Sequence, residues 1–182
     1  MFQHASMTSL TAQTLDSQLV TPTADGGRAD AVRAGDVARG IMRLFARNNI
    51  WCLSEMPLRN GRRADLMGVD AKGHVVIVEI KTARADLLGD NKWPDYLDHC
   101  DRFFWGLAPD LDRGPLEGED YRPDCCGVIA ADGYDAEILR PAPLHPLAAA
   151  RRKVEVERLA RTAMRRHAVA ADSELAPYFN GE

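Results

Sequence analysis

The run Val-Val-Ile-Val-Glu-Ile-Lys at residues 75–81 constrains this chain more than any other stretch. Val75, Val76, Ile77, Val78 and Ile80 are apolar on both parities, so a strand made from them is covered on both faces. Such a strand belongs at the centre of a layered α/β fold, not in a sheet with one face in water. The run then closes on Glu79 and Lys81, which lie two apart and share a face while Ile80 points to the other. Burying an acid and a lysine at the end of a central strand costs desolvation unless they have partners. Those two residues therefore need an explanation.

The flanking sequence builds a sheet around this strand. Asn60-Gly61 marks a turn, residues 62–69 read as a strand, and Asp70-Ala71-Lys72-Gly73 turns the chain back into residues 74–81. Counted outward from that turn, Asp65 lies about as far before it as Glu79 lies after it, so the two carboxylates fall near each other across an antiparallel pair. Ahead of the pair, residues 28–48 predict a helix with Val37, Ile41, Leu44 and Phe45 on one face, ended by Asn48-Asn49. Residues 50–58 predict a strand stopped by Pro57.

Downstream, 82–89 reads as a connection and 93–100 as a helix begun through Asp90-Asn91 or Pro94. Residues 102–107 read as an aromatic strand, 108–122 as a surface loop, and 124–130 with 134–140 as a hairpin. The last helix is expected over 144–167, with Val156, Leu159, Ala160, Ala163 and Met164 inward and Arg151, Arg158, Arg161 and Arg165 elsewhere. The expectation is one α/β domain with a mixed sheet over 28–167, a flexible lead at 1–27 in which Met7 is an alternative start, and a frayed tail at 168–182.

Composition narrows the function classes. With 23 basic and 27 acidic residues the net charge is −4, which argues against nonspecific nucleic-acid binding by the whole surface but permits a local basic track. No apolar stretch approaches the roughly 18–20 residues of a membrane span, and the N-terminus lacks a secretory pattern. The four cysteines show no paired spacing. Adjacent Cys125 and Cys126 on a strand would face opposite ways, and His99-Cys100-Asp101 would diverge at a helix end, so neither group predicts a disulfide or zinc site. Asp101 reads as a helix cap or a partner of Arg102. A reduced, cytoplasmic protein is expected.

Two carboxylates as close as Asp65 and Glu79 repel unless a cation lies between them. Mg²⁺ or Mn²⁺ suits them, because such ions take one or two carboxylates together with water and phosphate oxygens. The ion would polarise a phosphate and acidify a water, and Lys81 would hold that water or offset charge developing on phosphorus. The Ile80 carbonyl could complete the shell, and Glu55 on the first strand is a further candidate acid. Arg59, Arg62 and Arg63 flank the site and suit phosphates. Lys92 and Tyr96 suit a nucleic-acid backbone and an unstacked base, whereas Trp93 reads as packing on the sheet. The bland alternative, a solvated strand end carrying three ordinary charges, sits poorly with five buried-type residues leading straight into Glu79 and Lys81.

Helix, three-strand meander, helix and strand, with Asp65 on the second strand and Glu79-x-Lys81 on the third, resembles the PD-(D/E)xK nuclease superfamily. More narrowly, R-A-D-L, then V-V-I-V-E-I-K, then A-D-L-L-G-D-N-K-W-P-D-Y-L-D-H-C-D-R-F-F-W resembles the MmcB family of bacterial DNA-repair proteins. The likeness covers roughly residues 35–140, and the K-W-P-D-Y block is its most specific part. It implies a restriction-endonuclease-like αβββαβ core with an added C-terminal hairpin and helix. It also implies metal-dependent DNA cleavage in repair, with Asp65, Glu79 and Lys81 as the catalytic set. Branched, single-stranded or damaged DNA would be the substrate, and a second copy or a repair protein the partner. Ala64 replaces the proline that precedes the motif aspartate. The alternatives are a non-catalytic DNA-binding scaffold on the same fold and an RNA or nucleotide phosphodiesterase.

Overall fold

Strand β3 (Val75–Lys81) is buried at every residue. In the computed structural model, which describes residues 33–179, it lies third in a six-stranded sheet whose order follows the chain, β1 to β6. The expected lead, residues 28–32 of the expected first helix and the last three residues lie outside the described residues. The other strands are β1 (Trp51–Pro57), β2 (Arg63–Val69), β4 (Arg102–Leu107), β5 (Cys126–Ala131) and β6 (Ala136–Arg140). β1, β2 and β3 pair antiparallel, β3, β4 and β5 parallel, and β5 and β6 antiparallel. A parallel step requires a crossover, and the step from β3 to β4 is made by two short helical segments. These are helix α2 (Arg84–Gly89) and a 3₁₀ segment, Trp93–His99, which follow the long first helix α1 (Ala34–Arg47).

The two faces of the sheet are covered separately. Val37, Ile41 and Phe45 of α1 pack on Val76, Val78, Phe104 and Ile129. Gly40 makes the close approach possible, since a Cβ there would lie 2.3 Å from the Asp132 carbonyl oxygen. The opposite face carries Met67, Ile77, Phe103 and Trp105 beneath Trp93, Tyr96 and Leu159 of helix α3 (Ala149–Ala171). Among the described residues no helix is long and apolar enough to cross a membrane.

Several local expectations change. Residues 82–89 hold a helix, and 93–99 form a 3₁₀ turn because Trp93, Tyr96 and His99 are buried at a spacing of three, the period of that helix. The 108–122 segment is anchored by fully buried Leu116. Helix α3 starts at Ala149, later than expected, because the preceding chain is tied down by bonds from His145 N–H to the Asp101 carbonyl and from Leu147 N–H to the Asp101 carboxylate. It continues to Ala171, followed by a 3₁₀ segment, Ser173–Phe179, where a frayed tail was expected. Its buried residues are Glu155, Leu159 and Thr162, whereas Met164 is 68% exposed. Glu155 is buried because His99 and Arg158 meet its carboxylate at 2.9 and 2.7 Å.

Asp101 does not pair with Arg102; it pairs with the N-terminal end of α3 through Arg152 in its first turn. It is fully buried and accepts bonds from Val75 N–H, Leu147 N–H and the Arg152 guanidinium at 2.5–3.2 Å. Cys125 and Cys126 share one core, their sulfurs 3.6 Å apart. Strand alternation does not separate them because β5 begins only at Cys126.

Candidate functional site

Glu79 and Lys81 leave the core on the face that carries Ile77, at the end of β3 beyond which α2 begins. Both are nearly closed to solvent, Glu79 at 8% and Lys81 at 5% exposure. The Lys81 ammonium lies 2.8 Å from Asp90, 3.4 Å from Glu79 and 3.7 Å from Asp86. Burial works to lower its pKa, but these three carboxylates outweigh burial and hold it above the ordinary lysine value. One Glu79 oxygen faces Lys81, and the other, Oε2, is buried without a hydrogen-bond partner. Burial first, then the Asp65 and Asp90 charges, push the Glu79 carboxyl up to about 7 despite Lys81. A carboxyl in that position titrates near neutrality.

Asp65 reaches the same place from β2. The last bonded pair between β2 and β3 is Leu66 with Val78, so the next position along sets Asp65 against Glu79. The ladder ends there, and the Ile80 N–H donates to the Asp65 carboxylate at 2.7 Å. Burial raises the Asp65 pKa; the Ile80 N–H and Lys81 oppose the rise, and Glu55 adds to it. Two openings divide the cluster between them. A groove of about 660 Å³ between α1 and β1 contains Asp65, Glu55 and Ile80. A cleft of about 540 Å³ beside α2 contains Glu79, Lys81, Asp86 and Asp90.

Glu55 faces Asp65 from β1, between the bonded pairs Ser54–Leu66 and Met56–Ala64. Its backbone is left-handed, with φ of 53°, an unfavourable state for a residue with a side chain. Arg166 of α3 donates to the carbonyls of Ser54 and Glu55 at 2.6 and 3.0 Å and helps to hold that kink. The Glu55 carboxylate meets Arg63 at 2.6 Å.

The basic flank is more committed than its sequence implies. Arg62 is bonded to Asp95 and Arg63 to Glu55, so either would exchange a carboxylate for a phosphate. Arg59 and Lys92 are exposed, and Lys92 lines the cleft. Tyr96 departs from its expected role as a platform for a base. It is 6% exposed, its ring stacks on Phe103 at 6.1 Å, and its hydroxyl donates to the Arg63 carbonyl. Burial and the nearby Glu79, Asp65 and Asp90 charges raise its pKa. Trp93 packs against Phe103 and Trp105, as its spacing predicted. Arg158 of the arginine stripe is held by Glu155 and the Pro57 carbonyl.

Asp90 and Asp86 did not enter the sequence-derived site. Asp90 carried only a helix-start signal, and no local spacing links it to Lys81; the short α2 turn brings it back over the end of β3. Among the described residues no group of three or more His, Cys, Asp or Glu side chains is arranged to hold a metal ion.

The family model described as DNA repair protein MmcB-like matches residues 20–174. The chain is also similar to the solved structure of a protein of unknown function from Silicibacter pomeroyi. The two share 39% sequence identity with a TM-score of 0.69, covering 80% of this chain and 95% of that one. No curated protein matches it.

Proposed function

The chain belongs to the MmcB-like family of DNA repair proteins, and from that premise we propose that it hydrolyses phosphodiester bonds in DNA at the Asp65–Glu79–Lys81 cluster. We read the α1-β1-β2-β3-α2-β4 order as the restriction-endonuclease-like core of PD-(D/E)xK enzymes, with β5, β6 and α3 added. The observation that carries the reading is Glu79 Oε2, a buried carboxylate oxygen without a partner at the mouth of a cleft. Natural folds seldom leave such an atom unsatisfied away from a functional site.

A divalent cation fits this donor set. Asp65 and Glu79 would supply the carboxylates, Glu55 and the Ile80 carbonyl are further candidate donors, and Mg²⁺ needs no more than one or two protein carboxylates. When bound, Mg²⁺ or Mn²⁺ supplies polarisation of the phosphate and a more acidic water. The chain's own residues do the rest. Asp65 is fixed by the Ile80 N–H, so its free oxygen has a set direction. Glu79, whose carboxyl is pushed up to about 7 without a cation, offers its bare Oε2 to the site. Lys81, held charged by Asp90, lies where negative charge grows as water adds to phosphorus and the ester bond breaks.

A second reading, a DNA-binding scaffold without catalysis, draws on the same lysine. Its closed contacts with three carboxylates also describe a structural ion cluster. The two separate in one experiment, incubation of single-stranded, branched and damaged DNA with Mg²⁺ or Mn²⁺. Cleavage by the wild type, lost in Glu79→Gln and Lys81→Ala, is expected. DNA bound but left intact under all these conditions, equally by wild type and variants, overturns the hydrolase and leaves the scaffold.

A further inference from the structure

The groove that contains Asp65 has features that hydrolysis does not use. Helix α1 turns small residues toward it, Ala34, Gly35 and Ala38, and so leaves room above the edge strand. At its outer end stands Trp51, 69% exposed at the start of β1. The other two tryptophans, Trp93 and Trp105, are 3% and 0% exposed. Trp51 is not loosely placed. Its indole N–H donates to Asn49 Oδ1 at 3.3 Å, and Asn49 is held in the left-handed conformation that ends α1. Beneath it β1 lies tight on β2, since a Cβ on Gly68 would come within 2.5 Å of the Trp51 carbonyl oxygen. The indole edge is therefore tethered and its body left open.

Arg39 and Arg43 line the same groove. Arg43 donates to the neutral carbonyls of Gly133 and Tyr134 at 3.1 and 2.9 Å, and the Asp132 and Asp135 carboxylates feel its charge without bonding to it, so a phosphate would share that charge with them. Arg39 pairs with Asp36 across an exposed i,i+3 contact, which is weak and exchangeable in water. One groove thus presents an aromatic surface, an apolar floor and a cationic rim, and ends at the carboxylate assigned to the phosphodiester.

We propose that the α1–β1 groove seats an unpaired nucleobase of DNA against Trp51, with Arg43 on its phosphate, so that the adjoining backbone passes over Asp65. The proposal rests on DNA being the partner of the Asp65–Glu79–Lys81 cluster, and it names the form of DNA taken. A base inside a duplex has both faces stacked and cannot enter. A single strand, a flap or an extruded damaged base can, because every base offers a π-face whatever its sequence. The tyrosine first expected to stack is buried; Trp51 has the exposure that Tyr96 lacks.

The full chain, in EDTA so that no bond is cut, is titrated with oligothymidylate while tryptophan emission is excited at the red edge, where nucleobases do not absorb. Quenching by the single strand and none by a duplex of equal length is expected. Trp51→Phe retains binding, measured by anisotropy of a labelled oligonucleotide, but loses the quenching. Trp51→Ala weakens binding about 5- to 150-fold, the range for losing one base–aromatic stack, and its circular dichroism matches the wild type. Wild-type affinity in Trp51→Ala overturns the seat, as does quenching that persists in Trp51→Phe. A concentration-dependent change in emission without DNA also overturns it, because a second copy would then cover the groove. If no DNA of any form binds, the functional reading itself falls. If Trp51→Ala cleaves and binds like the wild type, only the base seat falls.

Discussion

Two carboxylates are buried at opposite ends of β3, and they are opposites in every other respect. Asp101, at the start of the strand, is fully buried and has both oxygens bonded, to Val75 N–H, Leu147 N–H and Arg152. Burial alone would raise its pKa, but those bonds win and hold it below the ordinary value. Glu79, at the far end, is nearly as buried, has one oxygen bonded and one bare, and is pushed up to about 7. The first is a strut: its charge is stabilised by the fold and in turn fixes the start of α3. The second is held in a state the fold does not favour. A buried charge that is satisfied points to structure, and one left unsatisfied at an opening points to chemistry.

The comparison breaks most directly on activity. Glu79→Gln is expected to lower metal-dependent DNA cleavage by about 10³-fold or more, near 4 kcal/mol of barrier, in a quantitative nicking or release assay. Asp101→Asn should leave cleavage within a few-fold at a temperature where it is folded. An Asp101→Asn variant that loses cleavage while fully folded would erase the distinction.

On stability the order reverses. Asp101→Ala leaves Arg152 without its carboxylate and should cost about 3–5 kcal/mol, seen as a lower urea midpoint. The pH dependence follows the same sign. The pKa of Asp101 is depressed on folding, so its contribution is present above the ordinary carboxylate range and is lost as pH falls through the folded value.

Glu79 behaves the other way. Its pKa rises from an ordinary 4.5 to about 7 on folding, so the native state holds the proton more tightly. Stability from this group is therefore present at low pH and is lost as pH rises from about 4.5 to about 7. In EDTA at pH 8, Glu79→Gln should be more stable than wild type by roughly 3 kcal/mol, with a flatter profile across that window. A destabilised Glu79→Gln would place Glu79 with Asp101 among the struts.

The smallest effect tests the support of Lys81. Asp90→Asn removes its 2.8 Å partner and should lower cleavage about tenfold, as loss of a group that orients a site residue commonly does. The alkaline limb of the rate profile should shift to lower pH. An unchanged alkaline limb would remove Asp90 from the site.

Much of this molecule is legible along the chain. The unbroken apolar run of β3 dictated a central, doubly covered strand, and the turn at 70–73 dictated its antiparallel partner, so Asp65 and Glu79 had to fall opposite one another. Parity put Glu79 and Lys81 on one face. What the chain left open depends on segments far apart in sequence. Asp90 meets Lys81 because α2 folds back over the strand end. Asp101 meets Arg152, and His99 meets Glu155, because α3 crosses the sheet some 50 residues later. Tyr96 is buried and Trp51 exposed because burial is decided by what packs above a residue and not by its type. Residue order fixes local geometry through backbone periodicity. Only the tertiary structure decides which buried charge is satisfied, because the partners that satisfy it come from elsewhere in the chain.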